Sequence, residues 1–201
     1  MKKVKIAIKI MACLAIASFF FSCNPLENET RSASLLYVIE LTGVDVEGNT
    51  ANFLHSDVIV VDPDTGMGTV FDDAASATLK AELLNPNPDI NVSLYNSIDV
   101  TRYVVSFTRS DGRNTPGVDV PYPFEGYLHT NIPIGGTASI GFIIVRAVAK
   151  LESPLIELHK GLGEMVIEVK AQIDFYGQDM ANKNVKATGH LSIFFANWQD
   201  Q

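Results

Sequence analysis

The chain has 201 residues, 47% of them apolar and 19% charged, with a formal charge of −8. That length and composition suit one globular domain with a substantial core. Four lysines and no acid stand before Cys23, so 11 of the 15 basic residues remain beyond it against 23 acidic ones, a charge of −12. Such a surface repels phosphate backbones and excludes nucleic acid as an expected partner.

The first segment, MKKVKIAIKIMACLAIASFFFS (1–22), has a basic start, an uncharged apolar run from Ile10 to Phe21, and the small residue Ser22 before Cys23. This is the layout of a secretory signal. The run is shorter than the roughly 20 residues a membrane-spanning helix needs. Later stretches do not reach that length either: TASIGFIIVRAVA (137–149) is interrupted by Arg146.

Phe20-Phe21-Ser22-Cys23 resembles the lipobox of bacterial lipoproteins, in which a small residue precedes a cysteine that is lipidated and becomes the mature N-terminus. Phe20 stands where that family usually has Leu, and Phe21 where it has a small residue. The resemblance implies that Cys23 carries more than one acyl chain, which anchors stably where a single chain binds a membrane only marginally. It also implies a cell-envelope location, facing the periplasm or the exterior, with Asn24 resembling the members sorted to the outer membrane. An ordinary cleaved signal or an uncleaved anchor shares the same layout. Cys13 lies inside the signal, so its removal leaves Cys23 without an internal disulfide partner. A thiol at a chain terminus also lacks a histidine held in a fixed pocket for catalysis.

NPLENETRSAS (24–34) is polar, contains a proline and has no apolar period, so residues 23–34 read as lipidated N-terminus plus tether and 35–201 as the folded domain. Period 2 dominates that domain. Strands are expected at 35–44, 56–61, 68–71, 76–84, 99–109, 124–132 and 137–148. Tyr103, Val105 and Phe107 supply one buried stripe, and Leu79, Ala81 and Leu83 another. The segment around 140–148 is apolar on both faces, as expected of a central strand or one covered by a neighbour. KLESPLIELHKG (150–161) has partial helical character, with Pro154 placed in its first turn. In VIEVKAQIDFY (166–176) and NVKATGHLSIFF (184–195) apolar and polar residues alternate around the turn formers of 177–184, predicting an antiparallel hairpin.

Long strands separated by turn signals, without alternating helices, predict an all-β fold: an antiparallel two-sheet sandwich of about 7–9 strands. Their order resembles an immunoglobulin-like or fibronectin type III-like domain. The disulfide and core Trp of antibody domains are missing, so the resemblance implies architecture and no function. A transmembrane barrel shows the same alternation, but the lipobox, the two-faced apolar strand and the lack of an aromatic girdle argue against it.

The four histidines, His55, His129, His159 and His190, have no second His or Cys at ligand spacing, and no H-E-x-x-H, G-x-S-x-G or P-loop is present. SDVIVVDPDTGMGTVFDD brings Asp57, Asp62, Asp64, Asp72 and Asp73 close in sequence, and its D-P-D-T-G core resembles the opening of a calcium loop. The bidentate Glu that finishes such a loop is absent, and Asp and Gly also simply make hairpin turns. SDGRNTPGVDVPYP (110–123) is the longest expected loop. Asp111, Arg113, Asp119, Tyr122 and Tyr127 are its candidate ligand residues, with Tyr122, Phe124 and Tyr127 as an aromatic platform for a sugar ring. Asp111 and Asp119 would be the pair for a glycosidase, which needs a carboxylate separation that sequence does not give. The sequence thus points to a lipid-anchored envelope protein with a non-enzymatic binding or structural sandwich. Calcium or glycan binding is the alternative, other envelope proteins are further partners, and hydrolysis is third.

Overall fold

The computed structural model describes residues 32–62, 64–85, 93–161 and 165–197. The signal, Cys23 and residues 24–31 lie outside the described residues, as does Trp198. Ser32–Gln201 forms one compact unit. Its strands are β1 Ser34–Val44, β2 Thr50–Ala51, β3 Phe53–Asp57, β4 Val60–Val61, β5 Gly68–Thr69, β6 Asp73–Leu83, β7 Ile98–Thr108, β8 Phe124–Ile132, β9 Thr137–Val145, β10 Ile167–Asp179 and β11 Asn184–Ala196. Two short helices, α1 (Ala147–Lys150) and α2 (Leu155–His159), connect β9 to β10.

Two sheets face each other, ordered β2-β1-β6-β9 and β3-β11-β10-β7-β8, with β4-β5 as a separate two-stranded hairpin. The all-β sandwich is therefore the fold, and its order is immunoglobulin-like. One pairing departs from the antiparallel expectation: β3 runs parallel to β11, Ser192 opposite Phe53 through Ala196 opposite Asp57. The chain enters the second sheet through β3, so the strand expected at 56–61 begins earlier, at Phe53, and ends at Asp57.

Alternation explains why these segments are strands. Along β10, Ile167, Val169, Ala171, Ile173 and Phe175 are buried, while Glu168 and Lys170 face water. Along β11, Val185, Ala187, Leu191, Ile193 and Phe195 are buried in turn, and His190 is exposed. These side chains meet Leu36, Leu79 and Ala81 of the opposite sheet in one hydrophobic core. Each large apolar side chain fully buried there contributes about 1.5–3 kcal/mol. The hairpin turn is tighter than the sequence suggests, because pairing continues to Gln178 opposite Asn184.

The two-faced apolar strand, β9, takes the second form expected of it, covered by a neighbour, and two bounds are corrected. It is an edge strand, bonded only to β6. Its flank is covered by side chains from the other sheet: Tyr103 reaches over Gly126, whose missing Cβ leaves room for the ring, and its hydroxyl accepts the Ile143 N–H at 3.2 Å. Arg146 stacks on Phe124 at 4.1 Å and donates to the Glu125 carbonyl. The strand also stops at Val145, since Arg146 is the N-cap of α1. Pro154 is the N-cap of α2 and not part of its first turn.

The domain also reaches further back than residue 35. Ser32 and Ser34 are buried, and the Ser32 hydroxyl donates to Asp179 Oδ2 at 2.7 Å. Asp179 Oδ1 accepts the N–H groups of Ala181 and Lys183, closing the β10–β11 turn. Chain entry and this turn thus share one end, the base. The registers place the β3–β6 connection, the β7–β8 loop and both helices at the opposite end, the loop end.

Candidate functional site on the outer face of the five-stranded sheet

The five aspartates singled out for calcium are divided among separate bonding arrangements at the loop end. Asp62 Oδ1 accepts the N–H groups of Asp64 and Thr65, making a tight turn closed by Gly66 N–H on the Asp62 carbonyl. Asp64 is exposed on that turn. Asp72 accepts the Ala147 N–H at the start of α1. Asp73 Oδ1 pairs with Lys150 Nζ at 2.7 Å, its Oδ2 accepts the Ser56 hydroxyl at 2.6 Å, and Lys150 donates also to the Asp57 carbonyl. An ammonium group therefore sits where Asp73 would face a cation. Burial pushes the Asp73 carboxyl up, and Lys150 and Ser56 only partly offset that. Among the described residues no group of three or more His, Cys, Asp or Glu side chains is arranged to hold a metal ion.

The 110–123 loop is likewise knitted to itself. Asp111 Oδ2 accepts from Arg109 Nη2 at 2.8 Å and from Arg113 Nη2 at 2.8 Å. Bonds from the Arg113 backbone and side chain, then from Arg109, lower its pKa to about 2. Asp119 instead caps the Thr115 N–H at 3.0 Å, and Val120 is buried beneath the loop. Gly117 takes φ +76°, a left-handed conformation, and the Tyr122 ring covers the position its Cβ would occupy. The expected three-ring platform does not form. Tyr122 covers its own loop, Phe124 turns inward against Tyr103, and Tyr127 stands on the outer face of β8.

Tyr127 leads to a different constellation. Strand registers place Tyr127 opposite Arg102, Arg102 opposite Tyr176, and Tyr176 opposite Lys186, a row across β8, β7, β10 and β11. The Arg102 guanidinium lies 4.0 Å from the Tyr176 ring centroid, and Lys186 Nζ 5.3 Å from it. Arg102 is also paired with Glu125 at 2.8 Å and Lys186 with Asp174 at 2.9 Å. A bond from Tyr127 lowers the Glu125 pKa. Burial alone would raise the Asp174 carboxyl, but Thr188, Lys186 and Gln172 together outweigh it and hold it below the usual range.

Next to this row β7 carries one extra residue: Tyr176 pairs with Arg102 and Gly177 with Val100, leaving Thr101 bulged out. The bulge opens a groove of about 520 Å³. Gly177 forms part of its lining, where any side chain would run into the Asp99 carbonyl. Gln178 and Asn184, bonded amide to amide at 3.0 Å, stand at its rim. None of Arg102, Tyr176 and Lys186 stood out in the sequence, where alternation can mark them only as outward positions of their strands. What the sequence did not show was the register that brings them level.

No protein-family model matches the chain, and no curated protein matches it significantly.

Proposed function

We propose that the protein is a lipid-anchored component of the cell envelope whose β-sandwich has a binding or structural role rather than an enzymatic one. The observation that carries this reading is the short distance in sequence from the lipobox-like Cys23 to Ser32, the first buried residue of the sandwich among the described residues. Only residues 24–31 separate Cys23 from Ser32, an extended reach of about 30 Å. Acylation at Cys23 would hold the base toward the membrane and present the loop end away from it. Within the hydrolase alternative Asp111 is a poor general acid, since two arginines keep it ionised. A general acid needs a pKa near its working pH, and this carboxyl is shifted the other way.

Mass spectrometry of the mature N-terminus tests the anchor. The expected result is a diacylated or triacylated Cys23, with Cys23→Ala released from the membrane fraction. An unacylated N-terminus at another residue, or unchanged membrane partition of the variant, would refute it.

A further inference from the structure

We infer that the groove beside Arg102, Tyr176 and Lys186 binds a neutral glycan. This deepens the binding role proposed above and depends on it.

Charge is the first argument. Both cations of the row are already paired, Arg102 with Glu125 and Lys186 with Asp174. The site therefore carries no net charge, and an added anion would meet two carboxylates at short range. What it offers instead is a dense set of hydrogen-bonding groups held in place by stacking and ion pairing. A guanidinium has five N–H donors, of which Arg102 commits Nη1 to Glu125. The Gln178–Asn184 pair uses one donor and one acceptor and keeps the remaining capacity of both amides. The bulged Thr101 adds a hydroxyl. A ligand whose hydroxyls donate and accept at once satisfies this mixture, whereas phosphate, which mainly accepts, does not.

The second argument is an aromatic ring on β8, beside Arg102 and just outside the groove lining. Tyr127 is 79% exposed, among the most exposed of the large apolar side chains, and its hydroxyl interacts with Glu125. A tyrosine face beside fixed polar groups suits a sugar, which has an apolar C–H face and a polar edge. The groove volume, about 520 Å³, falls in the range of small-ligand sites, roughly 300–1,000 Å³. Groups fixed before binding lose little entropy on contact.

The test uses the full chain in a detergent without a sugar headgroup, titrated with neutral trisaccharides of glucose, galactose, mannose and N-acetylglucosamine while amide NMR shifts are followed. At least one sugar should give saturable shifts at Thr101, Gly177 and Lys186. Arg102→Ala should then weaken Kd about tenfold, the equivalent of one well-placed hydrogen bond. Arg102→Lys should keep the charge and the fold yet lose most of that affinity, because an ammonium lacks the planar stack and fork. Tyr127→Ala, at an exposed position, should weaken binding severalfold, and Thr78→Ala on the other sheet should leave it unchanged. Absence of saturable shifts with every sugar would overturn the inference. So would full affinity in the folded Arg102→Lys variant, or tighter binding of trigalacturonate or inorganic phosphate than of any neutral sugar. Such a failure leaves the acylation of Cys23 standing, while an unacylated Cys23 with intact sugar binding would overturn the anchor alone.

Discussion

Two carboxylate–cation clusters stand at the loop end of the sandwich, and they differ in their access to water. Asp73 and Lys150 are enclosed, with 17% and 2% of their side chains exposed. Asp111, between Arg109 and Arg113, lies on an exposed loop. In the first cluster burial dominates and the carboxyl is raised despite an ammonium at 2.7 Å. In the second, hydrogen bonds dominate and the pKa falls to about 2. Two aspartates with cations at nearly the same distances thus titrate in opposite directions, because desolvation of the ion outweighs its bonds in one place and is outweighed by them in the other.

The largest effect is expected from Asp73→Ala, which leaves the Lys150 ammonium buried without its carboxylate. Unfolding in urea should show a loss of about 3–5 kcal/mol. Lys150→Met should cost less, about 1–3 kcal/mol, because Asp73 can take up a proton and become neutral. The sign of its pH dependence follows. With a folded pKa above the unfolded 3.8, the folded state of that variant holds the extra proton, so its stability should fall as pH rises above about 4. Equal losses in the two variants would contradict desolvation as the dominant effect.

Asp111 should behave in the reverse sense. Its stabilisation is present above the ordinary 3.8 and lost as pH falls toward about 2, and its carboxyl carbon shift should show that midpoint. Asp111→Asn should remove that stabilisation, small on an exposed loop, so the denaturation midpoint should fall slightly, and amide exchange should speed up at Arg113, whose N–H bonds to Asp111 Oδ1. The smallest effect concerns calcium. With Asp62 and Asp72 capping backbone and Asp73 facing Lys150, the melting temperature in calcium and in chelator should agree to within about 1 °C. A rise of several degrees would restore the calcium loop.

The sandwich was legible because alternation is a local property: the β10 and β11 stripes can be counted in the sequence, and the same residues are buried. The edge position of β9 was not legible. Apolar residues on both faces usually mean neighbours on both sides, and here Tyr103 and Phe124, distant in sequence, supply the cover, Phe124 through the adjoining Arg146. The candidate site divides in the same way. Asp62 and Asp111 are close to their partners in the chain, so proximity in sequence was genuine, but it served turns and not ligands. The Tyr127–Arg102–Tyr176–Lys186 row depends on the register of four strands and on one bulge, which no local pattern specifies.

The Ser32–Asp179 bond also has a mechanical side. A pull on the chain before Ser32 first meets this bond to the β10–β11 turn and then runs along β1. Because β1 is paired with β6 from Ser34 to Thr42, a load along the strand axis would be shared by many ladder bonds at once. A strand pulled sideways from its end would instead lose those bonds one by one. Under a pull along β1 the base would thus act as a shear joint, held by the β1–β6 ladder.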